Sequence, residues 1–184
     1  MRYSLGFART ECACEACSVS CRFVPGFLVP DDLANLRDPS MSLFDWAREH
    51  LLASPGAIVV RQGEVFRIRT LVPARQSDGL ACHWLADGKC AVHADAPFGC
   101  AFVDSHMDER EGRYRSSAAL LAVIRAWEYE ARDPGCEKGL YARVWTDLQS
   151  VRRFAPGPEA SRRAMMDSIG SLYPITQPRP AKGD

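Results

Sequence analysis

The residues of this chain best suited to chemistry are its cysteines, and they are densest in Glu11–Cys21, which reads ECACEACSVSC. Cys12, Cys14, Cys17 and Cys21 stand two, three and four positions apart, among the polar neighbours Glu11, Glu15 and Ser18. Four thiols so close, in such polar company, make poor core residues. A short loop or a single helical turn can aim them at one soft metal ion or cluster. On a helix, Cys14, Cys17 and Cys21 share a face through their i, i+3 and i+4 relations. The alternative is a set of buried or disulfide-bonded thiols, which the cysteine usage of reducing compartments disfavours. The run is read as half of a metal site.

A second group follows far downstream. Cys82, Cys90 and Cys100 are eight and ten residues apart, too far for a knuckle but suited to ligands on successive loops. Asp87-Gly88 offers a tight turn between the first two, and Pro97 and Gly99 shape the approach to Cys100. The eight cysteines divide by sequence order into Cys12, Cys14, Cys17, Cys21 and Cys82, Cys90, Cys100, Cys136. Two four-thiolate sites are possible, and so is one site with spare thiols. Structural zinc favours two paired C-x₂₋₄-C knuckles, and only the first group has that compactness. Iron–sulfur clusters accept cysteines from irregular, widely spaced loops, so an iron–sulfur cofactor is the favoured expectation. Zinc is the alternative, and thiol redox without a metal is a third reading. The order C-x₂-C-x₃-C reverses the radical-SAM triplet and no β/α repeat follows, so that class is rejected.

The elements that must position these residues are legible in part. Pro30-Asp31-Asp32 opens a short helix with Leu33 and Leu36 inward, ending near Asp38-Pro39. Ser42 with Asp45 makes a capping-box arrangement ahead of a helix over Leu43–Ala53, which Ser54-Pro55-Gly56 ends. His50 falls at its C-terminus, where a cation is favoured. Ala57–Arg61 and Val65–Val72 form a hairpin around Gln62-Gly63-Glu64, with Phe66, Ile68 and Thr70 on one face and Arg67 and Arg69 on the other. Ser116 or Ser117 caps a helix to about Arg132 with an apolar stripe of Leu120, Leu121, Ile124 and Trp127. After Asp133-Pro134-Gly135, a helix over Glu137–Phe154 carries Leu140, Tyr141, Val144, Trp145, Leu148 and Val151. Trp127, Tyr141 and Trp145 are read as helix–helix core rather than as a cofactor groove. A last helix over Glu159–Ile169 and a Pro-rich tail over Pro174–Asp184 complete the chain. The predicted class is α+β, mostly helical, with a small β-hairpin and cysteine loops converging on a metal site. The metal-binding domain is placed at 1–155 and the terminal helix and tail at 156–184.

The chain has 184 residues, 47% apolar and 25% charged, with no net charge. That describes one globular domain and gives no electrostatic argument for nucleic acid or a membrane surface. No apolar run approaches the ~20 residues of a membrane span, and residues 1–10 do not read as a secretory signal. A cytoplasmic location is the expectation, in which cysteines are metal ligands or redox groups more often than disulfides.

The combined pattern resembles the zinc- or iron-chelating cysteine-cluster family (YkgJ-like). The matching residues are Cys14, Cys17 and Cys21, then Cys82 with Trp84-Leu85, Gly88-Lys89-Cys90-Ala91-Val92-His93, and Pro97-Phe98-Gly99-Cys100. Arg22 stands where the family doubles its cysteine, Cys12 is an added thiol, and Ala96 replaces an arginine. The resemblance implies that Cys14, Cys17, Cys21, Cys82, Cys90 and Cys100 hold the cofactor, with Cys12 and Cys136 as further metal candidates. His93 falls at a tyrosine-like position of the family, which suggests a hydrogen bond to a ligand rather than ligation. His83 adjoins Cys82 and is expected to cover the site. His106, in the polar loop Asp104–Asp108, is either a general acid or base or an ordinary solvated side chain. Two functional classes follow: a cluster for redox or group-transfer chemistry, or a zinc-stapled interaction or metal-handling module with a protein partner.

Overall fold

The computed structural model describes residues 5–155 except 11, 13, 24, 62, 78, 80 and 133–138. Cys136, the helix expected at Glu159–Ile169 and the Pro-rich tail lie outside the described residues. The fold is mostly helical, with a two-stranded antiparallel sheet and a two-residue-by-two-residue ribbon. In order come α1 (Glu15–Phe23), α2 (Pro30–Leu36), α3 (Leu43–His50), β1 (Leu51–Arg61), β2 (Glu64–Pro73), β3 (Leu85–Ala86), β4 (Lys89–Cys90), a 3₁₀ turn at His93–Asp95, α4 (Phe98–Ala101), α5 (Glu109–Arg132) and α6 (Leu140–Ser150).

The hairpin begins six residues earlier than the expected Ala57, because α3 stops at His50 and β1 starts at Leu51. Leu51 and Ala53 are fully buried and Leu52 is not, so the inward period is two rather than 3.6. Their backbone groups pair with Pro73, Val72 and Leu71 of β2. Ser54-Pro55-Gly56 does not end a helix; it forms the irregularity where the register shifts between Ser54 and Ala57. Gly56 adopts φ 117°, and a Cβ there would meet Ile68 O at 2.2 Å. Ser42 does cap α3, accepting from the Asp45 N–H at 3.2 Å while its hydroxyl donates to Asp45 Oδ2 at 2.6 Å.

α5 starts at Glu109 rather than at Ser116 because Asp108 Oδ1 accepts from the Glu111 N–H at 2.8 Å. Arg115 pairs with Glu111 one turn on at 2.7 Å and adds to that first turn. Its buried face is Ala119, Val123 and Ala126; Leu121, expected inward, is 46% exposed. Likewise α6 ends at Ser150 and Val151 is exposed.

The main core joins Leu51, Ala53, Ile68 and Leu71 of the hairpin to Trp46, Val123, Val144, Trp145 and Leu148 of the helices. Trp145 and Tyr141 are core residues, not groove walls. The Tyr141 hydroxyl donates to Leu28 O and accepts from the Leu71 N–H, each at 2.8 Å. Arg67 and Arg69 face outward as expected, and Arg69 lies over the rings of Trp127 and Trp145 at 5.4 and 5.0 Å. Among the described residues no helix is long and apolar enough to cross a membrane.

A smaller core under the cysteines holds Val29, Ala96, Phe98, Ala101, Phe102 and Ala119. Its polar centre is Asp32, fully buried, whose Oδ2 accepts from the N–H groups of Val29 at 2.8 Å and Phe98 at 2.9 Å. Burial pushes this carboxyl up to about 7, against the pull of those two N–H bonds. Oδ1 has no hydrogen-bond partner among the described residues, which fits a neutral carboxyl. The folded protein therefore binds more protons than the unfolded chain between the unfolded value near 3.8 and about 7. Stability contributed by Asp32 should be present at pH 4 and decline through pH 7, by at most about 1.4 kcal/mol per pH unit. Denaturant melts of the wild type and Asp32→Asn across this range should show that slope in the wild type alone; a slope of opposite sign would mean that the ionised form is the stabilised one.

Candidate metal centre

The centre is assembled around α1. The Cys14 carbonyl accepts the Ser18 N–H at 3.0 Å, which starts the helix, and Cys17 and Cys21 follow one turn apart on the same side. At the other end, the open carbonyls that every helix terminus leaves find distant donors. Cys21 O accepts the Cys82 N–H at 2.7 Å, and Phe23 O accepts from Arg75 Nη1 at 3.1 Å. The second cysteine group is thus docked on the first by main-chain bonds.

Two further connections complete the assembly. The segment after α1 passes α4 with backbone against backbone: a Cβ on Gly26 would meet the Gly99 carbonyl carbon at 2.1 Å, and the Gly99 N–H donates to Phe27 O at 3.1 Å. That approach delivers Cys100, whose Sγ lies 4.0 Å from Gly26 O. Before α1, the Thr10 N–H donates to Ala101 O at 2.7 Å, and Arg9 donates to the carbonyls of His93 and Ala96. These bonds hold the strap that leads into Cys12.

The loop after α4 supplies an unexpected member. Asp104 Oδ1 accepts from the N–H groups of His106 at 2.8 Å and Met107 at 3.0 Å, a local turn of the kind aspartate favours. It places His106 Nε2 at 3.2 Å from Cys14 Sγ, and Ser105 Oγ at 3.2 Å from Cys17 Sγ. The ligand atoms of Cys12, Cys14, Cys17 and His106 all lie within 4.8 Å of one another. A tetrahedral zinc with bonds of about 2.3 Å to sulfur needs sulfurs roughly 3.8 Å apart, so these side chains can close on an ion with small rotations. Cys14 and His106 are exposed; Cys12 and Cys17 are half-buried.

Cys21 lies outside this group. Its carbonyl holds the Cys82 N–H and it lines one cavity with Cys90 and Cys100, so the run Cys12–Cys21 reaches both sets of thiols. Cys90 is brought to Cys82 by the ribbon: Leu85 pairs with Cys90, and the Leu85 N–H donates to Cys82 O at 2.9 Å. Asp87 and Gly88 form the expected turn, with φ of 49° and 74°. A cavity of about 30 Å³ is walled by Cys12 and Cys17 from one set and Cys21, Cys90 and Cys100 from the other, with His93 and Lys89 at its sides. The two sets differ in their protons. The Cys17 N–H, then His106, pull Cys14 down to about 6, and the same contact holds His106 above its ordinary value. Burial raises Cys21, Cys90 and Cys100 above the ordinary thiol value and pushes Cys82 up to about 12.

His83, which adjoins Cys82, turns its ring toward other aromatic rings. Its ring packs on Trp84 and His50 at centroid distances of 4.6 and 5.0 Å, and burial pushes it down to about 4. His106 is the residue that sequence reasoning passed over as a ligand. Ninety-two positions separate it from Cys14, and the one local signal is the Asp104 turn that aims it.

Comparison with family models, with curated proteins and with solved structures returns no match. The side chains themselves must then carry the functional reading, and Cys14 makes the sharpest demand. In metal-free protein its alkylation by iodoacetamide should be half-maximal near pH 6, well below an ordinary thiol. His106→Ala should move that midpoint upward without restoring the ordinary value, since the Cys17 N–H remains. Peptide mapping of the alkylated sites across pH checks both, and a Cys14 midpoint above 8 in the wild type would remove the activated thiolate.

Proposed function

We propose that this protein is a metal-binding module whose outer group, Cys12, Cys14, Cys17 and His106, takes a single soft divalent ion of the zinc class. The observation that carries this reading is the compactness of the group, four ligand atoms within 4.8 Å. Three thiolates and one imidazole are a donor set that structural zinc uses. Four protein ligands leave no open position for water, so the site suits holding or handing on an ion rather than hydrolysis. The exposure of Cys14 and His106 favours handling, because a ligand at the surface is reached by competing ligands. A place in the zinc- or iron-chelating cysteine-cluster family accords with this reading.

An iron–sulfur cluster for redox or group-transfer chemistry is the second reading. It is favoured by Cys21, Cys82, Cys90 and Cys100, which arrive from irregular, widely spaced segments as cluster ligands do. Against it stands the size of the cavity between the sets, about 30 Å³. Such a volume accepts an ion or a water or two, and a polynuclear cluster requires the loops to move apart.

Anaerobically purified protein should be colourless and bind zinc, and chelation should lower its melting temperature. At a free zinc concentration a hundredfold above Kd, the stabilisation is about 2.7 kcal/mol. His106→Ala should weaken zinc binding at the outer group by at least about a hundredfold, as even groups that only orient a ligand cost about tenfold to a hundredfold. Competition with a chromophoric chelator measures this. A brown protein with a broad band near ~400 nm would replace the single ion by a cluster.

A further inference from the structure

We propose that Cys21, Cys82, Cys90 and Cys100 form a second, inner site for the same class of ion, and that the outer group loads it through the cavity the two sets share. This rests on the reading of the outer group as a single-ion site. The four inner thiols come from four segments, yet the structure joins them directly. Cys82 is bonded to Cys21 through the main chain, Cys90 is paired with Leu85 just after Cys82, and Cys100 is brought in by the Gly26–Gly99 contact. Cys82 is buried and the other three are half-buried, so direct capture from solvent is hindered. No three of their sulfurs lie within 4.8 Å of one another, so the proposed site requires these side chains to rotate inward as the ion arrives.

The route follows from α1. Cys17 and Cys21 are four residues apart on one helix face, which puts their side chains roughly 5–6 Å apart at Cβ. Both line the cavity, together with Cys12 on the outer side and Cys90 and Cys100 on the inner side. An ion can thus exchange one thiolate at a time without returning to solvent. Each bond to an outer sulfur breaks as a bond to an inner sulfur forms. The protons shed by the inner thiols pass to the vacated outer thiolates or to water, and no electron is transferred. An ion held at the outer group raises the local concentration at the inner thiols to the order of millimolar.

Co²⁺ is the probe, added to the full-length reduced protein without oxygen, because its sulfur-to-metal absorption reports the number of thiolates. Two Co²⁺ per chain are expected, one spectrum of three thiolates and a nitrogen and one of four thiolates. Cys90→Ser, at a half-buried position, and Cys100→Ser should each keep the first and lose the second, with the far-ultraviolet circular dichroism unchanged in at least one of them. The double variant Cys14→Ser/His106→Ala should still fill the inner site at equilibrium but more than about tenfold more slowly in stopped flow, as the local supply is gone. One Co²⁺ per chain, unaffected by Cys90→Ser, would overturn the inner site and leave the outer reading intact. Equal filling rates in the double variant and the wild type would overturn the loading route. Failure of His106→Ala to alter the three-thiolate spectrum would instead strike the outer site itself.

Discussion

The site depends on a place where two backbones touch with no side chain between them. Gly26 and Gly99 meet so closely that a Cβ on either would lie within 2.6 Å of main-chain atoms of the other segment. The start of α4 takes its position from that contact. Cys100 is the next residue, and the loop of Asp104 and His106 begins a few residues on. Asp32 reinforces the junction from beneath by accepting from both Val29 and Phe98, one N–H on each side of it. An isolated hydrogen bond contributes about 1 kcal/mol net, and leaving a buried N–H without an acceptor costs about 1–3 kcal/mol. The buried carboxyl is therefore tolerated because it satisfies two donors that no other described residue reaches.

Local rules made some elements legible and hid others. Pro30 with two aspartates, Ser42 with Asp45, and Asp87-Gly88 are short-range signals, and all three act where they stand. The boundary at His50 was hidden because Leu51 and Ala53 satisfy a helical pattern and a strand pattern equally well. Only pairing with Leu71 and Pro73, twenty residues on, decides between them. The start of α5 was missed for the opposite reason: Asp108 is a sound cap, but the first two turns after it are polar on all sides and show no stripe. Leu121 was placed inward on periodicity, while the true buried line runs through the small residues Ala119 and Ala126, which pack a helix closely against its neighbours.

The cysteine pattern pointed to a candidate metal centre, but sequence order could not partition it. Helical geometry puts Cys14, Cys17 and Cys21 on one face, and from that alone they belong together. What separates them is length: a face eight residues long spans two turns, more than one ion can bridge with bonds near 2.3 Å. The upper turn meets the loop of His106 and the lower turn meets Cys82 and the β3–β4 ribbon. A histidine ninety-two residues from its nearest thiol leaves no periodic trace, so a candidate ligand of this kind is visible only after folding.

On the proposed two-site reading, the division also sets the direction in which an ion gains. Outside, Cys14 is already a thiolate near pH 6 and above, stabilised by a helical N–H and by His106. An incoming ion there still displaces protons from Cys12, whose thiol is held above its ordinary value, and from His106, while its bond to Cys14 replaces interactions that were already favourable. Inside, burial keeps Cys82 and Cys100 protonated across the physiological range. Burial outweighs the pull of the Trp84 N–H and Arg75 on Cys82, and a dication would make ionisation favourable in this poorly solvated place. Metal binding inside must therefore release more protons than binding outside. A rise in pH favours the inner thiols over the outer group, while acid returns the ion toward the surface. The same burial that makes the inner thiols inert as nucleophiles makes them the tighter cage once an ion has been delivered.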